Sequence, residues 1–366
     1  MRVDELDTPC LVVDVDRMER NLRDMADAAR QAGVGLRPHA KTHKSPVLAR
    51  RQMELGAFGL TLAKVGEVEV FAEAGLYDVD TLIAFPIVGE QKVRRLLDLA
   101  ERGRISVSLD NVEVARPMGA AAHARGMRID VLMEVEGGYL RVGVSPDAAL
   151  ETARRISELP GIRLRGVMTF EGLAYNGADT EARWQIVRPV AERLVGIAES
   201  LRASGLECEV VSMGSSPSAK LSMLVPGVTE VRPGTYIFYD ANHVRLGICR
   251  EDQVAATVHT RVVSRAASDR AVVDAGSKAI TQDGSVLGNT DLGLVMGMPG
   301  WHLVRATEEH GMLVRQADGP QLQIGQRLEL IPNHACPMVN LFDQMYLARD
   351  GEVIDVLPVA ARGRTQ

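Results

Sequence analysis

From residue 35 to 240, short apolar runs alternate with amphipathic segments of helical periodicity. The apolar runs indicate buried strands, and the amphipathic segments, several of which end at glycine, indicate helices that pack against them. Eight strand–helix units over about 200 residues predict an α/β fold with a parallel (β/α)8 barrel of the TIM type. The strand-like runs are GLRPHA (35–40), GLTLA (59–63), TLIAFP (81–86), ISVSLD (105–110), RIDVLMEVE (128–136), RLRGVMTF (163–170), CEVVSM (208–213) and EVRPGTYIFY (230–239).

The pattern changes after residue 250, where β-rich segments with turn signals replace the alternation of strands and helices. Because these segments show little helical periodicity, they predict a mainly antiparallel β-domain from 250 to 366. The run PCLVVDVD (9–16) precedes the first helix. We expect residues 1–29 to form a strand and a helix, with the strand joining the β-domain, and the barrel to occupy 30–245. The β-rich segments are VAATVHTRVVSR (254–265), RAVVDAG (270–276), GWHLVRATEEHGMLVR (300–315), QRLELIPNH (326–334) and GEVIDVLPVAA (351–361).

The composition is typical of a globular protein: of 366 residues, 46% are hydrophobic and 25% are charged, with a net charge of −6. No apolar run is long enough to predict a membrane span, and MRVDELDTPC lacks the basic-then-apolar pattern of a secretory signal. No basic run predicts binding to nucleic acid. The cysteines are scattered and none form a CxxC pair, so we expect reduced thiols and a cytoplasmic location. They are Cys10, Cys208, Cys249 and Cys336.

Polar residues follow several of the predicted strands, at the barrel end where active sites of this architecture lie. Lys41 follows the first run, Arg141 the fifth, Glu171 the sixth and GSSPS (214–218) the seventh. Basic neighbours and partial burial lower the pKa of a lysine such as Lys41. A neutral lysine amine forms Schiff bases with aldehydes, so Lys41 is a candidate cofactor lysine. The alternative is a solvated charge at the end of a strand.

A Gly/Ser-rich turn leads from the seventh strand into a helix, in the segment SMGSSPSAKL (212–221). Backbone N–H groups and hydroxyls in such a turn bind anions, although most glycine turns have no ligand. The next run brings Gly234 and Thr235 to the same barrel end, where phosphate sites are common. With a lysine on the same rim, these turns indicate a phosphorylated aldehyde cofactor, pyridoxal 5'-phosphate. The candidate phosphate donors in the first turn are Gly214, Ser215, Ser216 and Ser218.

The segment IPNHACPMVNLFD (331–343) carries His334 and Cys336 two positions apart. On a strand both side chains would point to one face, where imidazole and thiolate suit zinc or a related divalent ion. Two ligands form half a site, so water or substrate would complete it. The alternative is a surface histidine beside a buried cysteine, and His310 could belong to the same cluster or cap a turn.

Together these motifs resemble the fold-type III pyridoxal-phosphate enzymes related to alanine racemase, in particular the D-threonine aldolase and D-serine dehydratase group. The resemblance covers nearly the whole chain. RPHAKTHK (37–44) is similar to the Schiff-base segment of that group, which implies that Lys41 and not Lys44 binds the cofactor. PNHACP (332–337) is similar to the metal motif, which implies that His334 and Cys336 are ligands.

The resemblance also implies further cofactor contacts. GGYLRVGV (137–144) is similar to the segment whose arginine contacts the cofactor ring oxygen, here Arg141. VRPGTYIFYD (231–240) is similar to the phosphate-binding strand of the racemases and places Arg232 near the pyridine nitrogen. Tyr175, in the loop FEGLAYNG (170–177), is a further candidate for cofactor binding. Each β-domain in this family completes the active site of its partner, so we expect a homodimer.

The implied activity is that of a lyase on D-3-hydroxy-amino acids that depends on pyridoxal phosphate and a divalent metal. Zinc is favoured, with manganese or magnesium as alternatives. Elimination, with Lys41 as base, gives a 2-oxo acid and ammonia, as in a D-serine or D-threonine dehydratase; retro-aldol cleavage gives glycine and an aldehyde. The His-x-Cys pair is similar to the dehydratases, and Ala174 stands where familiar aldolases carry a histidine, so elimination is favoured. Phe170 stands where the family usually has a tyrosine, which leaves the substrate open.

Two other functions fit parts of the sequence. An amino-acid racemase needs a second base on the opposite face of the substrate and has no use for a metal pair. A non-catalytic protein that carries pyridoxal phosphate is usually a single barrel, without a β-domain that bears His334 and Cys336. Both are therefore less favoured than a lyase.

Overall fold

The computed structural model describes residues 1–316 and 319–366. The chain begins with strand β1 (Cys10–Asp14) and helix α1 (Val15–Ala32). Eight strands then follow and form one sheet in which every pairing is parallel. They are β2 (Gly35–Leu36), β3 (Gly59–Leu62), β4 (Asp80–Ile83), β5 (Ile105–Leu109), β6 (Ile129–Glu134), β7 (Ile162–Met168), β8 (Val210–Met213) and β9 (Glu230–Val231).

The order of this sheet is β2-β9-β8-β7-β6-β5-β4-β3, and a parallel bridge between His39 and Thr61 joins its two ends. Helices follow the strands and cover them, as the alternating pattern predicts. The predicted (β/α)8 barrel is therefore confirmed. The helices are α2 (Pro46–Glu54), α3 (Val65–Glu73), α4 (Glu90–Ala100), α5 (Val112–Ala124), α6 (Ala149–Ser157), α7 (Thr180–Ala203), α8 (Ala219–Ser222) and α9 (Ala241–Arg245).

Two of the predicted barrel strands are much shorter than their apolar runs. The run 35–40 forms a strand only at 35–36, and the run 230–239 only at 230–231. In each run a proline follows shortly, Pro38 or Pro233, and proline has no N–H to donate to a sheet. The chain beyond each proline turns as a 3-10 helix, Ala40–Thr42 or Thr235–Ile237, at the mouth of the barrel.

The second sheet contains the remaining strands and, with β1, has the order β11-β14-β13-β12-β15-β10-β1-β16-β17, with β10 also paired to β11. All of its pairings are antiparallel except that of β1 with β16, so a mainly antiparallel β-domain is confirmed. Strands β12 and β16 are not predicted by the pattern of the sequence. The strands are β10 (Ala256–Ala267), β11 (Arg270–Val273), β12 (Gly293–Val295), β13 (Trp301–Ala306), β14 (Gly311–Arg315), β15 (Arg327–Pro332), β16 (Gln344–Arg349) and β17 (Glu352–Pro358), with helix α10 (Ala335–Val339) after β15.

The N-terminal segment connects the two sheets. Strand β1 lies between β10 and β16, while α1 contacts β2 and the 3-10 turn after β9. Asp14 caps α1 by accepting a hydrogen bond from the N–H of Arg17, and Gly33 ends it with a φ of 67°. One face of α1 is apolar and buried, as its 3.6-residue period requires.

Buried ion pairs connect strands of the barrel. Arg37 is 2% exposed, and its guanidinium lies 3.1 Å from Glu230 and 2.7 Å from Asp80. Ser212 donates a hydrogen bond of 2.6 Å to Glu230. These charges are each compensated by an opposite charge or a polar donor, which burial in a barrel requires. Among the helices that the structure describes, none combines the length and apolarity needed to cross a membrane.

Candidate active site

A cavity of about 650 Å³ lies at the carboxyl ends of the barrel strands, beside α10 of the β-domain. Most of the site residues predicted from the sequence line it, from Lys41 near the start of the chain to Cys336 near its end, whereas Ser218 does not line it. His310 is outside this cavity, in the exposed turn between β13 and β14. The predicted residues in the lining are Lys41, Arg141, Tyr175, Gly214, Ser215, Ser216, Arg232, Gly234, Thr235, His334 and Cys336.

Lys41 lies in the short 3-10 helix that follows β2; it is exposed and lines the cavity. Desolvation by the surrounding protein lowers the pKa of Lys41. Cys336 opposes that shift, whereas Arg141 and Arg232 add to it. A larger share of Lys41 is therefore the neutral amine at neutral pH than for a lysine in water.

Lys44 has a different environment, although it lies only three residues away. It is buried, donates a hydrogen bond of 2.8 Å to Oδ1 of Asn340, and pairs with Glu67 at 3.3 Å. These partners hold the Lys44 side chain outside the cavity lining. Of the two lysines in RPHAKTHK, only Lys41 presents its amine to the cavity.

The turn after β8 has a buried carboxylate at its centre. Glu171 accepts hydrogen bonds from the N–H of Gly214 at 3.2 Å and of Ser215 at 2.7 Å, and also from the hydroxyl of Ser218. Gly214 has a φ of +91°, and a Cβ there would lie 2.9 Å from a methyl of Val231. Three of the residues predicted as anion donors, Gly214, Ser215 and Ser218, thus already donate to Glu171.

Three other N–H groups remain for an anion at this end of the cavity. The backbone N–H groups of Ser216, Gly234 and Thr235 donate to no protein acceptor within residues 1–316 and 319–366. A Cβ on Gly234 would lie 2.8 Å from Oγ1 of Thr42, so a side chain fits there only if Thr42 shifts. Backbone N–H donors without a protein acceptor in a cavity wall suit a phosphate group.

Two arginines lie at other parts of the cavity wall. Arg232 is buried; one of its nitrogens donates to Oγ of Ser212 and the other to the carbonyl of Thr169 at 2.7 Å. Arg141 is half exposed and stacks at 4.3 Å over the ring of Phe170. Both side chains are therefore held against the wall by neighbouring groups, with Phe170 serving as a platform for Arg141.

His334 and Cys336 also line the cavity, and the sulfur of Cys336 lies 3.7 Å from the hydroxyl of Thr235. The prediction that they share a strand is wrong: β15 ends at Pro332, His334 caps α10, and Cys336 is in the first turn of that helix. Pro337 cannot donate a hydrogen bond to a sheet but fits the first turn of a helix, which explains the difference. The two side chains nevertheless remain neighbours.

The pKa values of His334 and Cys336 are both shifted from their usual values. Burial lowers the pKa of His334, but the charge of Cys336 and a 2.6 Å hydrogen bond from Nδ1 to Asp283 outweigh it, so the pKa is raised well above its usual value. Burial likewise raises the pKa of Cys336, but His334, Lys41 and Thr42 outweigh it and lower the pKa to about 7. Because Nδ1 of His334 is bound to Asp283, Nε2 and the thiolate are the atoms left for a metal.

The chemistry of this donor set fits a divalent ion with open positions. Imidazole and thiolate are ligands for zinc and related metals. Within the described part of the chain, no group of three or more His, Cys, Asp or Glu side chains is arranged as a metal site. The pair would therefore supply two ligands, and other molecules would supply the rest.

Asp240 binds the turn that carries His334 and Cys336. Asp240 was not among the site residues predicted from the sequence. One oxygen of Asp240 accepts from the N–H of Ala335 at 3.1 Å, and the other accepts from Nδ1 of His243 at 2.6 Å. Asp240 and Ala335 are 95 positions apart, so no local pattern indicates this contact. It fastens α10 of the β-domain to the end of the barrel.

Comparisons with known proteins agree with this architecture. Residues 13–242 match the family model of the alanine racemase N-terminal domain, and residues 255–348 match that of a putative serine dehydratase domain. The chain is 36% identical over 364 residues to the D-threonine aldolase of Arthrobacter sp, which covers 98% of this chain and 93% of that protein. The crystal structure of D-threonine aldolase from Filomicrobium marinum has a TM-score of 0.91 at 34% identity, covering 99% of this chain and 97% of that one.

A dehydratase is as similar as the aldolases. The D-threo-3-hydroxyaspartate dehydratase of Delftia sp. (strain HT23) is 36% identical over 369 residues, covering 95% of this chain and 96% of that protein. Its crystal structure has a TM-score of 0.87, with 98% of both chains covered. A cysteine-to-alanine variant of D-threo-3-hydroxyaspartate dehydratase has been solved in a metal-free form.

Proposed function

Because this chain belongs to the alanine racemase-like family that includes D-threonine aldolase and D-threo-3-hydroxyaspartate dehydratase, we propose that it is a lyase acting on D-3-hydroxy-amino acids. Pyridoxal 5'-phosphate and a divalent metal would be its cofactors. The observation that carries the proposal is that one cavity contains the Lys41 amine, the donors of Ser216, Gly234 and Thr235, and the His334–Cys336 pair.

Different residues of the chain would hold different parts of the cofactor. Pyridoxal phosphate supplies, when bound, an aldehyde that condenses with amines and a ring that stabilises negative charge at the neighbouring carbon. Lys41 would bind the aldehyde, Arg232 would face the pyridine nitrogen and Arg141 the ring oxygen. The N–H groups of Ser216, Gly234 and Thr235 would bind the phosphate, while Gly214 and Ser215 shape the turn beside them.

Tyr175 would act as a hydrogen-bond donor toward the cofactor. Burial, followed by the charges of Asp240 and Cys336, raises the pKa of Tyr175 well above its usual value. Its phenol therefore keeps its proton at neutral pH and can donate it in a hydrogen bond.

His334 and Cys336 would hold a divalent ion that acts as a Lewis acid on a substrate oxygen. The thiolate favours zinc over manganese or magnesium, because soft sulfur ligands prefer borderline-soft metals. Asp283 orients His334 through Nδ1, as outer carboxylates commonly orient metal-binding histidines. The metal-free form of the relative supports metal binding in the family.

We favour elimination over retro-aldol cleavage, because of the bases that line the cavity. The carboxylates of Glu171, Asp240 and Asp283 already accept hydrogen bonds from protein donors. Lys41 is then the lining base best suited to take the α-proton, and loss of the β-hydroxyl leads to a 2-oxo acid and ammonia. Retro-aldol cleavage, which requires a base for the β-hydroxyl, is the alternative that similarity to D-threonine aldolase favours.

Assembly and location are part of the proposal. Tyr139 and Leu140 are 50% and 90% exposed in the loop that carries Arg141, and Phe85 is 44% exposed at the cavity wall. Apolar surface of this kind suits an interface, which supports a homodimer with active sites at the subunit boundary.

All the cysteines are free, which supports a reducing, cytoplasmic location.

The test is product analysis with D-serine, D-threonine and D-threo-3-hydroxyaspartate, with the L-enantiomers as controls. The purified protein is supplied with pyridoxal phosphate and zinc or manganese. Formation of a 2-oxo acid and ammonia from the D-isomers supports the dehydratase, and glycine with an aldehyde instead selects the aldolase. Conversion of D- to L-isomers would select a racemase. Absence of any product with cofactor bound would overturn the lyase in favour of a binding protein.

A further inference from the structure

Glu171 is a buried carboxylate that contacts neither Lys41 nor the His334–Cys336 pair. It is 1% exposed, directly after β7, and its three partners all belong to the turn that follows β8. These partners are the N–H groups of Gly214 and Ser215 and the hydroxyl of Ser218. A carboxylate that accepts three hydrogen bonds from one turn fixes the conformation of that turn.

The same turn carries one of the free donors. The N–H of Ser216 follows the two N–H groups that Glu171 binds, and Oγ of Ser216 accepts a hydrogen bond of 3.0 Å from the N–H of Tyr236. This bond ties the turn to the Thr235–Ile237 segment, which carries the free N–H of Thr235. The position of the Ser216 donor relative to the Thr235 donor therefore depends on the turn being held in place.

We propose that Glu171 is a positioning residue for the phosphate of the cofactor. By binding the N–H groups of Gly214 and Ser215, it leaves Ser216, Gly234 and Thr235 as the anion donors and holds the first of them in place. Glu171 acts on the phosphate only through the turn. This inference rests on the proposed function, because it requires that pyridoxal phosphate is the ligand.

A positioning role for Glu171 makes a prediction that a merely structural role does not. Loss of the carboxylate should weaken binding of pyridoxal phosphate while leaving binding of pyridoxal, which lacks the phosphate, nearly unchanged. The experiment measures dissociation constants of both ligands for the metal-free, cofactor-free protein by equilibrium dialysis. The wild type is compared with Glu171→Ala, Glu171→Gln and two serine variants.

The serine variants form a matched pair. Ser218 and Ser222 are both fully buried and lie four positions apart, but the Ser218 hydroxyl donates to Glu171 whereas the Ser222 hydroxyl has no partner among the described residues. Ser218→Ala should weaken binding of pyridoxal phosphate about fivefold, since the hydrogen bond to Glu171 is lost together with the contacts of the Ser218 hydroxyl to the N–H and hydroxyl of Ser215. Ser222→Ala should leave it unchanged.

The two glutamate variants should also weaken binding of pyridoxal phosphate, by different amounts. Glu171→Ala should weaken binding of pyridoxal phosphate at least about tenfold, with less than about a twofold change for pyridoxal. Glu171→Gln should fall between Glu171→Ala and the wild type, because its amide oxygen still accepts from Ser215 but its NH₂ cannot accept from Gly214. Inorganic phosphate should strengthen binding of pyridoxal to the wild type and not to Glu171→Ala.

Several outcomes would overturn the inference. One is equal weakening of both ligands in Glu171→Ala, which indicates a general structural role. Another is unchanged or tighter binding of pyridoxal phosphate, which indicates that the freed N–H groups of Gly214 and Ser215 serve the phosphate. If Glu171→Ala does not fold, the comparison of Ser218→Ala with Ser222→Ala decides. A wild type that binds no pyridoxal phosphate overturns the proposed function itself, whereas a wild type that binds it with unaltered variants overturns this inference alone.

Discussion

The hydroxyl of Thr42 lies 3.1 Å from the sulfur of Cys336, so the residue after the candidate cofactor lysine contacts the candidate metal ligand. The two residues are 294 positions apart: Thr42 lies in the 3-10 helix after β2 of the barrel, and Cys336 in α10 of the β-domain. Through this contact the turn that carries Lys41 and the helix that carries Cys336 meet at one point. Contrary to the expectation that each β-domain completes the site of a partner, His334 and Cys336 reach the cavity of their own chain.

Replacing Thr42 with valine should raise the pKa of the Cys336 thiol. In the metal-free protein that pKa is about 7, because His334, Lys41 and Thr42 together outweigh the effect of burial. Loss of a hydrogen bond to the thiolate should raise it by about one pH unit. The rate of alkylation by iodoacetamide at Cys336, followed against pH by mass spectrometry, reports the midpoint. The other three cysteines are buried and serve as internal controls. An unchanged midpoint contradicts a hydrogen bond from Thr42.

Metal binding should release a proton and tighten as pH rises through neutrality. His334 has a pKa raised well above its usual value, so in the metal-free protein its imidazole carries a proton that a metal must displace. Below that pKa, the affinity should increase about tenfold for each pH unit and then level off above it. Calorimetric titration of zinc in buffers of different ionisation enthalpy counts the protons released. Cys336→Ala should lose most of the affinity, and an affinity that does not depend on pH contradicts this assignment.

Lys41, and not Lys44, should be the residue that borohydride fixes to pyridoxal phosphate. The amine of Lys41 lines the cavity and has a lowered pKa, whereas Lys44 is held by Asn340 and Glu67. After reduction, peptide mass spectrometry should find the cofactor on Lys41 alone. Lys41→Ala should lose this label and reduce turnover by about 10²–10⁴-fold, the range for loss of a catalytic base. A label on Lys44 would reverse the assignment of the two lysines.

Glu230→Gln should strongly destabilise the barrel. Glu230 is 3% exposed and pairs with Arg37, which is 2% exposed, so the substitution leaves a buried guanidinium with only Asp80 as a charged partner. Breaking one side of a buried ion pair costs about 3–5 kcal/mol in the free energy of unfolding. Glu207→Gln is the matched control, because the Glu207 carboxylate pairs with the exposed Arg163 and should contribute less than about 1 kcal/mol. Urea denaturation measures the free energy of unfolding of both variants. Equal losses would contradict a larger contribution of the buried ion pair.

Part of the acid sensitivity of the fold should come from His43. Burial lowers the pKa of His43 from 6.5 to about 4 in the folded protein. As pH falls below 6.5, the unfolded chain binds a proton that the folded chain does not, so stability is present above 6.5 and is lost as pH falls toward 4. At pH 5 this loss amounts to about 2 kcal/mol.

The measurement is urea denaturation of the wild type and of His43→Gln at pH 7 and pH 5. The variant should lose less stability between these two values than the wild type. Burial also lowers the pKa of His259 to about 4, so His259→Gln should show a similar effect and the double variant the sum. Equal pH dependence in all four proteins would contradict the role of buried histidines.

Much of the fold follows from local patterns in the sequence. Runs such as GLTLA and ISVSLD predict the strands β3 and β5 within one residue, because continuous apolar stretches are stable only where both faces are buried. Prolines change the outcome locally: Pro38 and Pro233 end their strands early, and Pro337 favours a helix where the sequence predicted a strand. Those errors concern backbone hydrogen bonds that proline cannot make.

The residue types of the candidate site also follow from the sequence, since a lysine, a glycine turn and a His-x-Cys pair are recognisable wherever they fold. Their partners do not. Glu171 reaches Ser215 across 44 positions, Asp283 reaches His334 across 51, and Asp240 reaches Ala335 across 95. The position of Glu171 after the sixth predicted strand indicated only that it lies at the active-site end of the barrel. Nothing in the local sequence of the three carboxylates predicted which groups they bind.

The sequence alone therefore determined which segments are strands and helices, because the spacing of hydrophobic residues is a local property. It also determined which side chains can take part in catalysis or binding, because residue type is local too. Only the tertiary structure decided which acid holds which turn, which lysine presents its amine to the cavity, and which donors remain for an anion. Those choices depend on distances of a few ångströms between segments far apart in the chain. Such distances are set by how the barrel and the β-domain pack together.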